Sequence, residues 1–508
     1  MLSDWKMLVA CLSIGFFIRL VPELLAYPLP IGFDTIYYAN VMKDGVIIPH
    51  WTAFFTSSWL LNAFTVPSYG VTLIDPFLLL KVVAPLLFGL NVAGIYWFSR
   101  KALGWSSAMG LFAGVFFALQ LASLRISWDL LRNTLGLGVL LFAFAYVKNV
   151  GSKRGFALFV SLSLLSVFAH EYAAVTLLFV VLGLLVWKFA KGQFDRNGKF
   201  LVLGVIPALS VFAVGMYLRF FPIRYEVSSN VIQVGDAVGA KVGGLFFLVD
   251  YLKVQSSVDS YSSYFSLAMN VGLLFAVLFV PYLYLVFRGF FRNEVLSLWS
   301  GLLLIGAFGC LVLPFSAIEY WHRWMFMLAY PLTFFAASGF RRLVGKVQAK
   351  EIWRVRLFSS TKAVAMLLFT FVLGIGYLAT PVIMVFVDSS VPAISGTSAY
   401  FCVAPTVPYK DVNGVVEAVE WLNSNMDENS CVILQHAFLE WGRLHLDESH
   451  KIVYFENSPD SCVAKATENG FSQIFFVWWN QPIGWYGVSV PEDFVRVQDF
   501  GRISVYCL

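Results

Sequence analysis

Long apolar runs with very few charges are the feature that most limits how this chain can fold. The chain has 508 residues, of which 59% are hydrophobic and 13% are charged, whereas a soluble domain carries about 25% charged residues. Runs of about 20 apolar residues are long enough to cross a bilayer as helices. An open sheet would leave backbone groups unsatisfied in lipid, and the runs lack the alternation of a barrel. We therefore predict a mainly α-helical, polytopic membrane protein.

The number of apolar runs predicts about eleven transmembrane helices. They fall at roughly 6–25, 73–98, 107–124, 134–149, 155–169, 172–188, 200–218, 265–287, 296–314, 324–340 and 363–387. The first run contains Arg19 and lacks a small-residue cleavage pattern, so we predict a retained helix rather than a cleaved signal peptide.

Alternate loops between these runs are basic, which predicts the topology. The basic positions are Arg100, Lys101, Lys153, Arg154, Lys188, Lys191, Arg196, Lys199, Arg288, Arg292, Arg341, Arg342, Lys346, Lys350, Arg354, Arg356 and Lys362. By the positive-inside rule these loops and the N-terminus are cytoplasmic, and the tail after about Asp388 is extracytoplasmic. The net charge of +5 reflects these clusters and gives no indication of nucleic-acid binding.

The tail has a different composition, and we predict a domain boundary there: a transmembrane domain at 1–388 and an extracytoplasmic α/β domain at 389–508. Helices are predicted at 415–422, 436–446 and 459–469, and strands at 431–434, 451–455, 474–478 and 503–507. The alternation of strands and helices is typical of a small α/β sheet. The tail contains no G-x-G-x-x-G phosphate loop, so we do not predict a nucleotide-binding domain.

Two features of the tail leave alternatives open. Its four cysteines, Cys402, Cys431, Cys462 and Cys507, allow two disulfides with three pairings, or buried free thiols. Aromatic pairs at 478–479 and 485–486 are suited to stacking on sugar faces, or to packing on the membrane domain and lipid headgroups.

The loops predicted to lie outside carry the candidate functional residues. Asp34 follows the first apolar run, and His50 lies in the same loop. Asp129 is at helical spacing from both Arg125 and Arg132 in the second loop. The remaining candidates are His170, Glu171, Glu319, His322 and Arg323.

Acids and bases gathered at one membrane face suit a transfer reaction with an anionic lipid. A carboxylate there can take a proton from an incoming acceptor. Arginine and histidine can grip a phosphate and stabilise the charge that develops as it leaves. Each residue also has a structural alternative: Asp34 as a helix cap, Asp129 as an ion-pair partner, and Arg323 as a side chain reaching the headgroups.

The segment Gly32-Phe33-Asp34-Thr35-Ile36-Tyr37-Tyr38 is similar to the first-loop acidic motif of the C-type membrane glycosyltransferases, which share the GT-C fold. The stretch 125–133 lies where the second acidic motif of that family is expected. The resemblance covers the layout of the whole chain, including the outer tail. It implies a polyprenyl-phosphate or polyprenyl-diphosphate sugar donor and a lipid, glycan or protein acceptor.

Two branches of that family fit to different degrees. Ser316-Ala317-Ile318-Glu319 is similar to a fifth-loop motif of the oligosaccharyltransferase catalytic subunit, which implies a divalent metal (Mg or Mn) held by Asp34, Asp129 and Glu319. Leu131 stands where that subunit has a second acid, and Trp478-Trp479 is followed by Asn480 rather than by its tail motif. The protein mannosyltransferases and aminoarabinose transferases have no obligate metal, and we favour this branch.

The resulting hypothesis is a transferase in which Asp34 is the base and Asp129 orients it. Arg323, with His322 or Arg132, is predicted to bind the donor phosphate. A transporter or flippase of lipid-linked sugars is the first rival and predicts charges near mid-helix and repeated broken helices. A structural or adaptor membrane protein is the second, and gives no reason for acids and bases to gather on one face.

Overall fold

A computed structural model describes residues 4–221, 231–233, 264–312, 321–344, 353–382, 403–455, 458–481 and 489–508. These parts of the chain are mainly helical. The α-helices are α1 (Asp4–Leu25), α2 (Thr35–Asp44), α3 (Ala53–Thr56), α4 (Leu60–Thr72), α5 (Pro76–Lys101), α6 (Ser107–Ala118), α7 (Leu121–Asp129), α8 (Leu131–Tyr146), α9 (Lys153–Ala169), α10 (Glu171–Ala190), α11 (Arg196–Phe220), α12 (Tyr264–Gly289), α13 (Glu294–Phe308), α14 (Trp321–Met327), α15 (Ala329–Val344), α16 (Trp353–Leu378), α17 (Val412–Asn425), α18 (His436–His445) and α19 (Asp460–Glu468).

Seven of the described helices are long and apolar enough to cross a membrane, and an eighth span is formed if the bent pair α6 and α7 counts as one. The predicted number of eleven is therefore not confirmed. Helix α8 has 16 residues, about 24 Å at 1.5 Å per residue, which is short of a hydrocarbon core of about 30 Å. The chain is still an integral, multi-pass membrane protein, while its orientation stays a prediction.

The predicted run 107–124 is not one straight helix, because α6 and α7 meet at an angle of 63°. Polar side chains form hydrogen bonds with the backbone and with other side chains at this break. The hydroxyl of Ser123 donates to the carbonyls of Phe117 and Gln120. The amide of Gln120 donates to Thr333 (2.7 Å) and accepts from the hydroxyl of Tyr282 (2.6 Å). The break turns α7 into the interior, where Ala122 to Asp129 are all buried.

Helices α1 and α5 approach closely because glycines face each other across their contact. A Cβ on Gly89 would lie 2.5 Å from the carbonyl oxygen of Leu12, and one on Gly15 would lie 2.7 Å from Val92. Small residues allow such close packing in membrane helices. The two helices therefore pack tightly against each other.

The described part of the tail forms a sheet with helices, as predicted. Strands β1 (Val231–Gln233), β2 (Ser430–Gln435), β3 (Lys451–Phe455), β4 (Gln473–Trp479), β5 (Val495–Phe500) and β6 (Ile503–Cys507) lie in the order β1-β3-β2-β4-β6-β5. The first four are parallel, and β6 and β5 are antiparallel to their neighbours. Strands β1 and β5 were not predicted, and β1 comes from the loop after α11. The predicted boundary at 388/389 lies outside the described residues.

The tail packs against the first loop. The amide of Asn40 on α2 donates to the carbonyl and carboxylate of Glu440 on α18, both at 2.7 Å. Asp44 pairs with Arg443 at 2.8 Å. The first loop, the strand β1 and the tail, which the charge pattern assigns to one side, are thus in contact.

Two open questions about the tail receive an answer within the described residues. Cys431, Cys462 and Cys507 are free thiols, the first two of them buried; Cys402 lies outside those residues. Trp478 and Trp479 are buried in the core and contact Phe438. They are therefore packing residues rather than an exposed platform for a sugar, whereas 485–486 lie outside the described residues.

Candidate active site

Asp34 lies in the turn between α1 and α2, immediately before the first residue of α2. It is partly buried. Its side chain makes no capping hydrogen bond to the helix, which removes the support for the alternative that it serves as a cap. The carboxylate is thus held at a helix start without being used by the helix.

The turn that carries Asp34 is docked onto Asp129. The backbone N–H of Phe33 donates to Oδ2 of Asp129 at 3.2 Å. Gly32 has a φ of +90°, and a Cβ there would lie 2.5 Å from the Cβ of Asp129. Only glycine allows this backbone conformation and this approach without strain. The two predicted acids, 95 positions apart in the sequence, are therefore neighbours.

Asp129 is held on its other side by Arg125. The ion pair is 2.6 Å long, and both side chains are buried. Of the two partners that the helical spacing allowed, the structure uses Arg125 rather than Arg132. With Arg125 and Phe33 on its two oxygens, Asp129 is fixed in place and in turn fixes the Asp34 turn.

Three arginines act on Asp34 electrostatically. Burial, together with the negative charge of Asp129, raises the pKa of the Asp34 carboxyl to about 6. Arg323, Arg125 and Arg132 oppose this rise. A carboxylate with a pKa near 6 is ionised at neutral pH but retains more basicity than an exposed aspartate, which suits a general base.

Arg132 is placed by the aromatic residues that follow Asp34. Its guanidinium donates to the hydroxyl of Tyr37 at 3.0 Å. It also lies over the rings of Tyr37 and Tyr38, at 5.0 and 5.5 Å. Stacking of this kind holds a guanidinium in one plane and leaves its edge for a partner.

His170 belongs to the same cluster, since the charges of Arg323 and Arg132 both act on it. Its Nδ1 accepts the N–H of Tyr172 at 3.1 Å, which leaves the proton of the neutral ring on Nε2. Burial lowers the pKa of His170 to about 3. The ring is therefore neutral at physiological pH and can donate one hydrogen bond, but it is no cation for a phosphate.

Glu171 is used for structure rather than at the centre of the cluster. It pairs with Arg219 on α11, and Arg219 also donates to the carbonyl of Thr56 at 2.7 Å. Glu171 is therefore an ion-paired residue at the start of α10. His50 is used locally, because its Nδ1 contacts Thr52 and accepts the N–H of Ala53.

Helix α14 carries His322 and Arg323, the candidates that come last in the sequence. Arg323 lies near Asp34 and His170, whose pKa values it influences. The next residue, Trp324, packs edge-on against Tyr172 at 4.8 Å. His322 lies beside Arg323 at the start of the helix, and Glu319 is outside the described residues.

The described residues do not fit a divalent metal. They contain no group of three or more His, Cys, Asp or Glu side chains arranged to hold one. The oxygens of Asp129 already accept from Arg125 and Phe33, and three guanidinium groups add positive charge beside Asp34. The described part of the site therefore supports charge stabilisation by these guanidinium groups.

The tail forms one wall of the cluster. The ring of Phe33 stacks on His436 at 5.8 Å, and the N–H of Gly32 donates to the carbonyl of Val403 at 2.6 Å. Sequence analysis missed this wall, because nothing in the local pattern of residues 403 or 436 indicates a contact with residues 32 and 33. It also missed Glu23 and Lys81, which are charged residues at the end of one apolar run and inside another.

No protein-family model and no curated protein matches this sequence. Solved structures do match. The oligosaccharyltransferase AglB from Archaeoglobus fulgidus, in complex with an inhibitory peptide and a dolichol-phosphate, has a TM-score of 0.55 and 13% identity, covering 93% of this chain and 69% of AglB. ArnT from Cupriavidus metallidurans in the apo state has a TM-score of 0.52 and 11% identity, covering 98% of this chain and 97% of ArnT. These likenesses confirm the predicted GT-C fold.

Proposed function

We propose that this protein is a membrane glycosyltransferase that takes a sugar from a polyprenyl-phosphate-linked donor and attaches it to an acceptor on the extracytoplasmic face. The observation that carries the proposal is the cluster itself, in which Asp34 lies beside Asp129 and close to three arginines. The GT-C fold adds support, because the AglB structure with this fold holds a dolichol-phosphate.

In the proposed reaction the acceptor group gives its proton to the carboxylate of Asp34 as it attacks the anomeric carbon of the donor sugar. The bond between that carbon and the phosphate oxygen breaks, and its electron pair stays on the phosphate. Arg323, with His322 or Arg132, binds the phosphate and stabilises the charge that develops. Attack opposite the leaving phosphate inverts the anomeric configuration. Removal of one hydrogen-bonding group that stabilises such a charge typically lowers kcat by about 10²–10³-fold.

Asp129 takes no part in proton transfer in this mechanism. Because it holds the N–H of Phe33, it positions the turn that carries Asp34. Its negative charge also keeps the pKa of Asp34 high enough for a base. These two effects give the second acid a role in the proposed reaction that does not require a metal.

The test uses the full chain in lipid nanodiscs with a panel of radiolabelled mannosyl, glucosyl and aminoarabinosyl polyprenyl phosphates and native membrane acceptors. Asp34→Asn is expected to bind the donor and to lose transfer. Asp44→Asn is the matched control, since Asp44 ends the same helix and pairs with Arg443.

Full transfer activity in Asp34→Asn would show that Asp34 is not the base. In vesicles, movement of the labelled lipid across the bilayer without a covalent product would instead favour the flippase.

A further inference from the structure

A buried group of three charges lies between α1 and α5. Arg19 and Glu23 are one turn apart on α1 and pair at 2.8 Å, and Lys81 on α5 pairs with Glu23 at 3.2 Å. All three are at most 6% exposed. Charges in the interior of a membrane protein are costly, so those that occur are usually paired and functional.

Arg19 binds the end of the helix that carries Asp129. Its guanidinium donates to the carbonyl of Ser127 at 3.3 Å and to that of Trp128 at 3.4 Å. It also donates to the hydroxyl of Ser127 at 3.1 Å and lies 4.4 Å over the ring of Trp128. The last carbonyls of a helix have no partner within the helix, and a cation there is favourable. Arg19 thus fixes the two residues directly before Asp129.

Lys81 binds the other acid-bearing segment. Its ammonium donates to the carbonyl of Leu29 at 2.7 Å, five residues before Asp34, and to the carbonyl of Glu23 at 3.1 Å. Glu23 accepts from both cations, so the two segments are held by one connected group on the closely packed α1–α5 pair.

We propose that Arg19, Glu23 and Lys81 form a positioning network that sets the distance between Asp34 and Asp129. The effect on rate rests on the proposed function, whereas the effect on geometry does not. None of the three is a catalytic residue, because they act through the backbone of the segments that carry the acids.

The test compares Arg19→Met, Lys81→Met and the double variant. Each single change leaves a neutral pair with Glu23, which favours folding. Since a displacement of about 1 Å can cost about 100-fold in rate, we expect each to lower kcat by on the order of 10- to 100-fold with donor affinity unchanged. Because loss of both cations would leave Glu23 buried and unpaired, the double variant also carries Glu23→Gln. It is expected to lose less than the product of the two single losses, because both act on one distance.

Two further variants separate positioning from folding. Arg19→Lys retains the pair with Glu23 but presents a single ammonium to the carbonyls and the hydroxyl, so it should restore activity only in part. Arg100→Met is the matched control, because Arg100 joins the same two helices by pairing with Asp4 at 2.9 Å, away from the acids. Its kcat is expected to equal that of the wild type.

Hydrogen–deuterium exchange supplies a readout that needs no activity. Peptides covering 26–40 and 121–131 should exchange faster in Arg19→Met and Lys81→Met than in Arg100→Met. Unchanged exchange and unchanged kcat would overturn the network, and so would a fall in kcat that merely follows thermal stability. If the wild type transfers no sugar, the proposed function fails, and the exchange result alone still decides for or against the network.

Discussion

Replacing Gly32 with alanine is expected to push the Asp34 turn away from Asp129. The new Cβ would lie 2.5 Å from the Cβ of Asp129 and 2.9 Å from the carbonyl oxygen of Trp128. Neither neighbour yields easily. Trp128 is held through its backbone by Arg19, and Asp129 is held by its ion pair with Arg125.

The structure gives the size of this displacement. Ordinary contact begins at 3.4 Å, so the turn must move by about 0.9 Å to relieve the contact. A misplacement of about 1 Å can cost about 100-fold in rate, and we expect a loss of this order in kcat. The positive φ of Gly32 adds about 1–3 kcal/mol of backbone strain with alanine, which lowers stability but does not by itself move the acids.

Gly45→Ala separates the two effects. Gly45 ends the helix that follows Asp34 and has a φ of +69°, and among the described atoms none lies within 4 Å of the position of its Cβ. It should therefore lose stability without losing kcat. The assay is single-turnover transfer with saturating donor, together with thermal unfolding of both variants. If Gly32→Ala loses no more activity than Gly45→Ala, the close approach does not set the geometry of the acids.

Three other predictions test the site and the tail. Because Asp34 must be ionised to act as a base, kcat/KM should fall as the pH drops through about 6. Asp129→Asn should move this acidic limb of the pH profile to lower pH, because it removes a negative charge that raises the pKa of Asp34. An acidic limb that does not move would contradict the assignment of Asp34 as the base. Transfer should persist after exhaustive chelation of divalent ions, and its loss, restored by Mg²⁺ or Mn²⁺, would show a metal site that includes residues outside the described ones. Trp479→Phe removes the 2.8 Å hydrogen bond to buried Asp411 and should lower the free energy of unfolding by about 1.5–3 kcal/mol. The buried thiols of Cys431 and Cys462 should then react with a thiol reagent at a lower temperature than in the wild type, with Trp105→Phe as the comparison.

Local patterns were sufficient for most of the secondary structure. In the tail, the predicted strands at 451–455 and 503–507 coincide with β3 and β6, and the predicted helix at 415–422 lies within α17. In the membrane part the apolar runs located helices, but the predicted number of eleven spans is not confirmed among the described residues. The bend between α6 and α7 depends on Gln120 finding partners on α12 and α15, far away in the sequence. A hydropathy window contains no information about such partners.

The candidate site likewise combines residues that the sequence was enough to select with contacts that only the structure shows. The charge pattern and the short motif around Asp34 were enough to select Asp34, Asp129, Arg132 and Arg323. Sequence spacing left Asp129 with two equivalent arginines, and the structure pairs it with Arg125 because α7 is complete through Asp129 whereas Arg132 begins a new helix. Glu171 was selected for its position on the same side, but Arg219, 48 residues away, engages it.

The sequence by itself predicted that this chain spans a membrane, where most of its helices lie, and which polar residues occupy the loops predicted to lie outside. These properties follow from transfer free energies and loop charges, which depend on each segment alone. Only the tertiary structure decided that the turn of Asp34 rests on Asp129, that Arg19 and Lys81 hold both acid-bearing segments, and that a strand from the loop after α11 completes the sheet of the tail. Such contacts join residues about 50 to more than 200 positions apart, and their geometry depends on how helices and strands pack rather than on any local pattern.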